Sequence, residues 1–279
     1  MRDEPCWSIA ELRARYDLEP ALQDVFVEGS FDRDVLSRVF NDGPNQRTFY
    51  EIGAVDVPDD TLTAHGLTSG AKQKVIALAR ELSGLPSAAK VRCLVDRDLD
   101  HWFGTLESSE HLHWTLFCCL GCHFLTAQVV TEIMVTTCRA RISSIDSFFT
   151  SLLEALKRLY ALRLADRQLA LALKWVALRK YLRREGDTLK FNDDDYVIAV
   201  LNRNARSAQG DEFRCVYQQW LGNLNSDYRL AARGHDYTDL LAWSVAQFGG
   251  RKEFASTEVI ERVFVLLART VETIQGELQ

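Results

Sequence analysis

The sequence predicts a mixed α/β fold, with a parallel sheet flanked by helices and a mainly α-helical C-terminal region. Short apolar runs of strand length, such as residues 25–27 and 91–95, alternate with helical patterns over the first 120 residues. After Gly121 the patterns are almost all helical. Strands separated by helices favour parallel pairing, because a parallel connection needs a crossover of a dozen or more residues.

The elements follow from local patterns. A Ser8–Glu11 capping box predicts the start of a helix over residues 8–16. Apolar periodicity and turn residues then predict strands over 24–29, 48–57, 91–95 and 113–120, helices over 32–40 and 69–82, a turn at 58–60 and a helix stop at Gly84. Beyond them, helices are predicted over 123–134, 145–164, 168–184, 237–248 and 257–277, and 188–200 is open between strand and helix.

This pattern predicts two regions: an α/β domain over residues 1–121, and a helical region over 122–279 packed on it. Hydrophobic residues make up 47% of the 279 residues and charged residues 26%, which is typical of a globular protein. No apolar run reaches the ~20 residues that span a bilayer, so no membrane partner is expected. An acidic N-terminus without an apolar core predicts no secretory signal. Seven cysteines without framework spacing favour reduced thiols in the cytoplasm.

Charge is distributed unevenly along the chain. The net charge is −6, but residues 139–184 contain eleven Lys or Arg against three acidic residues, a local net charge of +8. Such a segment is either a solvated helical face or a nucleic-acid-binding surface. The basic residues assigned to nucleic-acid binding are Arg97, Arg179, Lys180, Arg183 and Arg184.

Carboxylates follow two of the predicted strands. The first strand is followed by a glutamate and the third by alternating aspartates. Ligands of parallel sheets lie just beyond the carboxyl ends of the strands, and two acids spaced by one residue point to one side if strand geometry persists. Clustered carboxylates favour a hard divalent cation, Mg²⁺ or Mn²⁺. The residues that would hold it are Glu28, Asp96, Asp98 and Asp100.

The order of these motifs resembles the TOPRIM domain of topoisomerases, primases and OLD-type nucleases. Residues 15–20 ahead of 24–29, with Asp32 following and Gly234-His235-Asp236 near the end, are similar to a bacterial family of stand-alone TOPRIM proteins. That family includes the effector nuclease of the PARIS anti-phage system. The resemblance implies that Glu28 acts as general acid/base and that Asp96 and Asp98 hold Mg²⁺, with Asp100 as a third acid. The catalytic residues assigned on this basis are Glu28, Asp32, Asp96, Asp98 and His235.

The resemblance implies a metal-dependent nuclease that acts as a toxic effector in anti-phage defence. RNA, with tRNA as one substrate, is favoured over DNA, and an ABC-type ATPase is the implied partner. Whether the protein forms a homodimer stays open, because apolar helix faces can pack within one chain or between two copies. The family commonly has an acid after the fourth strand, whereas this chain has none between Gly121 and Glu132. The alternative is therefore a non-catalytic TOPRIM-fold module that associates with a partner ATPase.

Three other motifs have simpler interpretations. The cysteines at 118, 119 and 122 have no second Cys-x-x-Cys to complete a zinc site, so core packing is favoured. Gly234-His235-Asp236 is either functional or a helix cap in which Asp236 supplies the oxygen. Residues 66–72 end in Lys72 but lack the spacing of a phosphate-binding loop.

Overall fold

The computed structural model describes residues 6–41, 47–86, 88–225 and 227–278. They divide into two compact units: one up to Leu120 together with the chain from Phe264 onward, and one over Gly121–Val263. The sequence placed everything after residue 121 in a single region. The C-terminal segment instead belongs to the α/β unit, where Arg47 Nη2 donates to Leu278 O at 3.1 Å.

A four-stranded parallel sheet forms the centre of the first unit, which confirms the mixed α/β prediction. The elements of this unit are β1 Trp7–Ser8, α1 Ile9–Leu18, β2 Asp24–Val27, α2 Ser30–Phe40, β3 Thr48–Glu51, β4 Val55–Asp56, α3 Asp59–Ala64, α4 Ala71–Glu81, β5 Arg92–Val95 and β6 Leu112–Trp114. The strand order of the sheet is β3–β2–β5–β6, and β1 and β4 pair separately.

The core of this unit follows from the apolar runs in the sequence. All four residues of β2 are buried, as expected for a strand with neighbours on both sides and helices over its faces. Helix α4 buries five consecutive residues from Val75 to Ala79, and it contacts β5 and β6. After α4 the chain turns at Gly84, whose φ of +77° favours glycine and ends the helix as predicted.

Three boundaries in this unit differ from the sequence-based expectation. The strand expected over 48–57 is broken by a 3-10 turn at Ile52–Ala54, so its second half pairs with β1. The turn expected at 58–60 begins α3, where Asp59 and Asp60 lie favourably near the positive end of the helix dipole. The strand expected over 113–120 ends at Trp114, because Thr115 Oγ1 donates to Phe117 O at 2.8 Å and the chain turns.

The second unit is mainly helical but contains a hairpin that the sequence did not predict. Its elements are α5 Ala127–Thr131 with a π-helical turn Glu132–Thr137, α6 Ile145–Gln168, β7 Leu182–Glu185, β8 Thr188–Phe191, α7 Asp193–Arg203, α8 Gly210–Asn223, α9 Gly234–Gln247 and α10 Thr257–Leu267, whose last turn lies in the first unit.

The helix expected over 168–184 is wrong. Helix α6 ends at Gln168, and the chain then passes through a loop and a 3-10 turn, Leu178–Tyr181, into the antiparallel β7–β8 hairpin. The carboxylate of Asp166 accepts from Leu173 N at 3.1 Å, which holds the chain after the helix end. Gly186, with a φ of +59°, makes the hairpin turn. Tertiary pairing therefore overrides the helix propensity of this Leu- and Arg-rich segment. No helix among the described residues is both long enough and apolar enough to cross a membrane.

The capping box at α1 gives a direct stability prediction. Ser8 Oγ accepts from Glu11 N at 3.3 Å, and Glu11 Oε2 accepts from Ser8 N at 2.7 Å. Ser8→Ala removes one of these bonds, so we expect the free energy of unfolding to fall by about 1 kcal/mol. Urea denaturation checks this, with Ser37→Ala in the middle of α2 as the control. An equal loss in both variants would contradict the role of the cap.

Candidate metal centre

The sheet brings the two acidic strand ends together. Strands β2 and β5 are parallel neighbours, with Phe26 opposite Cys93, so the residues after each strand lie at the same edge. Glu28 Oε1 accepts a hydrogen bond from the backbone N–H of Asp96 at 2.9 Å. Residues 68 positions apart in the sequence are therefore in direct contact.

Burial and mutual repulsion change the acidity of this cluster. Burial is the main cause that raises the pKa of Glu28 from 4.5 to about 7, and Asp98 and Asp100 add to it. Burial also raises the pKa of Asp96 well above its ordinary value, with further contributions from Asp32 and Glu28. These five carboxylates, all predicted as site residues, thus lie within electrostatic reach of one another. We call them the acidic cluster.

Lys72 is the cation at this cluster that the sequence analysis missed. Its Nζ donates to Asp98 Oδ2 at 2.9 Å and to Asp96 O at 2.6 Å, and it forms an ion pair with Asp100 Oδ2 at 2.7 Å. The side chain is only 16% exposed, and Nζ lies 5.4 Å from the centre of the Trp114 ring. Lys72 lies in the segment rejected as a phosphate loop. A local feature of the sequence near Lys72 is Gly70, which is the N-cap residue of α4 and has a φ of +139°.

The loop after β6 fixes the backbone of the aspartate loop. Asp98 N donates to Cys118 O at 2.8 Å, and Arg97 N donates to Thr115 Oγ1 at 3.2 Å. Asp98 has a φ of +44°, so strand geometry does not persist through Asp96 and Asp98 as the alternation argument assumed. Backbone bonds to the neighbouring loop, rather than strand alternation, keep the two aspartates at the cluster.

The C-terminal segment supports that neighbouring loop from the other side. Both carboxylate oxygens of Glu277 accept from Leu116 N, at 3.0 and 3.1 Å, and Glu277 is buried. Leu116 follows Thr115, whose carbonyl accepts from Arg97 Nε. A chain of hydrogen bonds therefore runs from Glu277 through the loop to the residue between Asp96 and Asp98.

The acidic cluster has the donor chemistry of a site for a hard divalent cation. All of its donors are carboxylate oxygens, which Mg²⁺ and Mn²⁺ prefer, and burial together with the neighbouring carboxylates raises the pKa of Glu28 and of Asp96. Among the residues that the structure describes, no three His, Cys, Asp or Glu side chains are already arranged as metal ligands. Glu28 is bonded to a backbone N–H, while Asp98 and Asp100 are bonded to Lys72. A divalent cation would bind these carboxylates only by replacing the hydrogen bond of Glu28 or the ion pairs with Lys72.

The remaining predicted site residues lie elsewhere or have other contacts. Arg97 donates its side chain to the backbone of Thr115. His235 lies in the second unit, exposed at the second position of α9. The other basic residues predicted to bind nucleic acid are also in the second unit, on a 3-10 turn and the hairpin rather than on one helical face: Arg179, Lys180, Arg183 and Arg184.

Asp236 does not cap α9. The residue at the N-cap position is Arg233, which makes no side-chain capping bond. Asp236 is instead buried and forms an ion pair with Arg163 of α6 at 3.0 Å. The Gly-His-Asp motif therefore contains one structural residue, Asp236, beside an exposed histidine whose function stays a prediction.

The cysteine cluster is part of the protein interior. Cys118, Cys119 and Cys122 are buried thiols, and the Sγ of Cys122 donates to Ala232 O at 3.3 Å. His123, which lies in the segment after the fourth strand where the resembled family commonly has an acid, is fully buried in the second unit. The favoured interpretation of these cysteines, core packing, agrees with this burial.

The fold and the site define an α/β protein with an acidic cluster at the carboxyl edge of a parallel sheet. No protein-family model matches the chain, and no curated protein matches it either.

Proposed function

We propose that the protein is a nuclease that hydrolyses phosphodiester bonds with Mg²⁺ or Mn²⁺ at the acidic cluster. The observation that carries this proposal is the 2.9 Å contact between Glu28 Oε1 and Asp96 N. It joins two sequence motifs that are each ordinary alone but together match the order of a TOPRIM centre. The proposal rests on that geometry and on the resemblance of the motifs.

The residues would have distinct roles. Asp96 and Asp98 would hold the cation, with Asp32 and Asp100 close enough to contribute to the local charge. Once bound, the cation would neutralise charge on the scissile phosphate and lower the pKa of a coordinated water. Glu28, with a pKa of about 7, is suited to exchange a proton near neutral pH, as an efficient general acid/base requires.

RNA is the proposed substrate class, with tRNA as the first candidate and DNA as the second. The exposed arginines and lysines on the β7–β8 hairpin and the turn before it are the proposed phosphate contacts of the second unit, because backbone recognition depends on cationic side chains. A toxic effector role in the cytoplasm, an ABC-type ATPase partner and a homodimeric state are proposals that come from the family resemblance.

The test is cleavage by the full chain. Purified protein is incubated with Mg²⁺ or Mn²⁺ and with tRNA, single-stranded RNA, and single- and double-stranded DNA. We expect cleavage of tRNA by the wild type, and loss of cleavage in Glu28→Ala and in Asp96→Ala. Equal cleavage by all three proteins would identify a contaminating nuclease and contradict the proposal.

A second candidate function is a non-catalytic module that binds a partner ATPase. The observation that favours it is the pairing of Lys72 with Asp98 and Asp100, which neutralises part of the cluster without a metal. Tight binding of an ATPase encoded beside this gene, with no cleavage of any of the substrates, would favour the module over the nuclease.

A further inference from the structure

Lys72 places a positive charge among the oxygen atoms of the aspartate loop. Its ammonium group lies within 2.9 Å of Asp98 Oδ2 and 2.7 Å of Asp100 Oδ2. It also donates to the backbone carbonyl of Asp96, so three residues of the aspartate loop point oxygen atoms at one cation. This is an oxygen-lined position for a positive charge, filled by the chain itself.

The ammonium group is held there in its charged form. The two ion pairs with Asp98 and Asp100 favour the charged form of the lysine. The lysine side chain can also move, because its four-carbon chain is flexible, whereas the guanidinium group of arginine is planar and rigid. Lys72 is therefore a strongly attracted but displaceable counter-ion.

We propose that Lys72 competes with the divalent cation for Asp98 and Asp100 and so sets the affinity of the acidic cluster for metal. This inference rests on the proposed function, because it takes the acidic cluster as a metal site. A cation that binds Asp98 must displace the lysine, and the like charges then repel each other at short range.

The experiment measures Mn²⁺ binding and does not depend on nuclease activity. The full chain is stripped with EDTA, and free Mn²⁺ is followed by electron paramagnetic resonance as protein is titrated. The variants are Lys72→Met and Lys72→Gln, which both remove the charge, so one remains useful if the other does not fold. Lys74→Met, on the same helix, is the matched control. Lys72→Met/Asp98→Asn tests whether any gain depends on Asp98, and Asp96→Asn tests whether Mn²⁺ binds at the acidic cluster.

We expect both charge-free variants to bind Mn²⁺ at least about tenfold more tightly than the wild type. Lys74→Met should match the wild type, and the double variant should lose the gain. Mn²⁺ binding that is unchanged or weaker without Lys72, but is lost in Asp96→Asn, would overturn this inference and leave the metal centre standing. No Mn²⁺ binding by any of these proteins would overturn both.

Discussion

Asp96→Asn is expected to lower the rate of Mg²⁺-dependent cleavage by roughly 10³-fold while the protein stays folded. A metal ion contributes several kcal/mol of charge stabilisation in the transition state, and each 1.4 kcal/mol corresponds to a factor of ten in rate. Asn keeps the shape of Asp but removes the charge that holds the cation. The loss should therefore appear at saturating substrate, as a lower kcat.

The fold should tolerate this change for a reason visible at the site. Burial, Asp32 and Glu28 raise the pKa of Asp96 well above its ordinary value, so the fold disfavours the charged carboxylate that Asn removes. The matched control is Asp17→Asn, an exposed acid on α1, which should cleave like the wild type. Circular dichroism of each variant separates loss of activity from loss of fold. Undiminished cleavage by folded Asp96→Asn would place the active site elsewhere.

The acidic cluster could be predicted because its signal is local. Each strand is a short apolar run that ends in acids, and parallel pairing puts such ends at one edge of a sheet. No knowledge of side-chain packing is needed to expect Glu28 next to Asp96, where the structure places it. The geometry of Asp98 could not be expected in this way, because its positive φ depends on a backbone bond to Cys118 that no local pattern encodes.

Side-chain contacts from elements other than the two acidic strand ends could not be predicted. Lys72 reaches the cluster from α4, 26 residues before Asp98, and Glu277 reaches Leu116 across 161 residues. In the second unit, the local sequence of residues 182–191 predicts a helix or is ambiguous, but these residues form a hairpin. Their helix and strand propensities are similar, so pairing between the two strands determines the structure. The sequence thus indicates which acidic residues lie at the site. The conformation of the loops that orient these residues depends on tertiary packing and could not be predicted.

Glu28→Gln is expected to stabilise the metal-free protein at alkaline pH and to have no effect at acidic pH. The pKa of Glu28 is about 7 in the folded protein and near 4.5 in an unfolded chain. Between these values the folded state keeps a proton that the unfolded state has lost, so the stability of the wild type falls as pH rises. Above about pH 7 the full penalty applies, on the order of 3 kcal/mol. Gln carries no charge at any pH and keeps an oxygen for the N–H of Asp96.

The measurement is urea denaturation in EDTA at pH 4.5, 6 and 8. The difference in unfolding free energy between Glu28→Gln and the wild type should grow from about zero at pH 4.5 to its maximum at pH 8. Glu110→Gln, an exposed glutamate of the same unit, should show no such trend. A difference that is constant across this pH range, or a loss of stability at pH 8, would mean that Glu28 is not held in a buried and repulsive environment. The acid/base role proposed for it would then lose its physical basis.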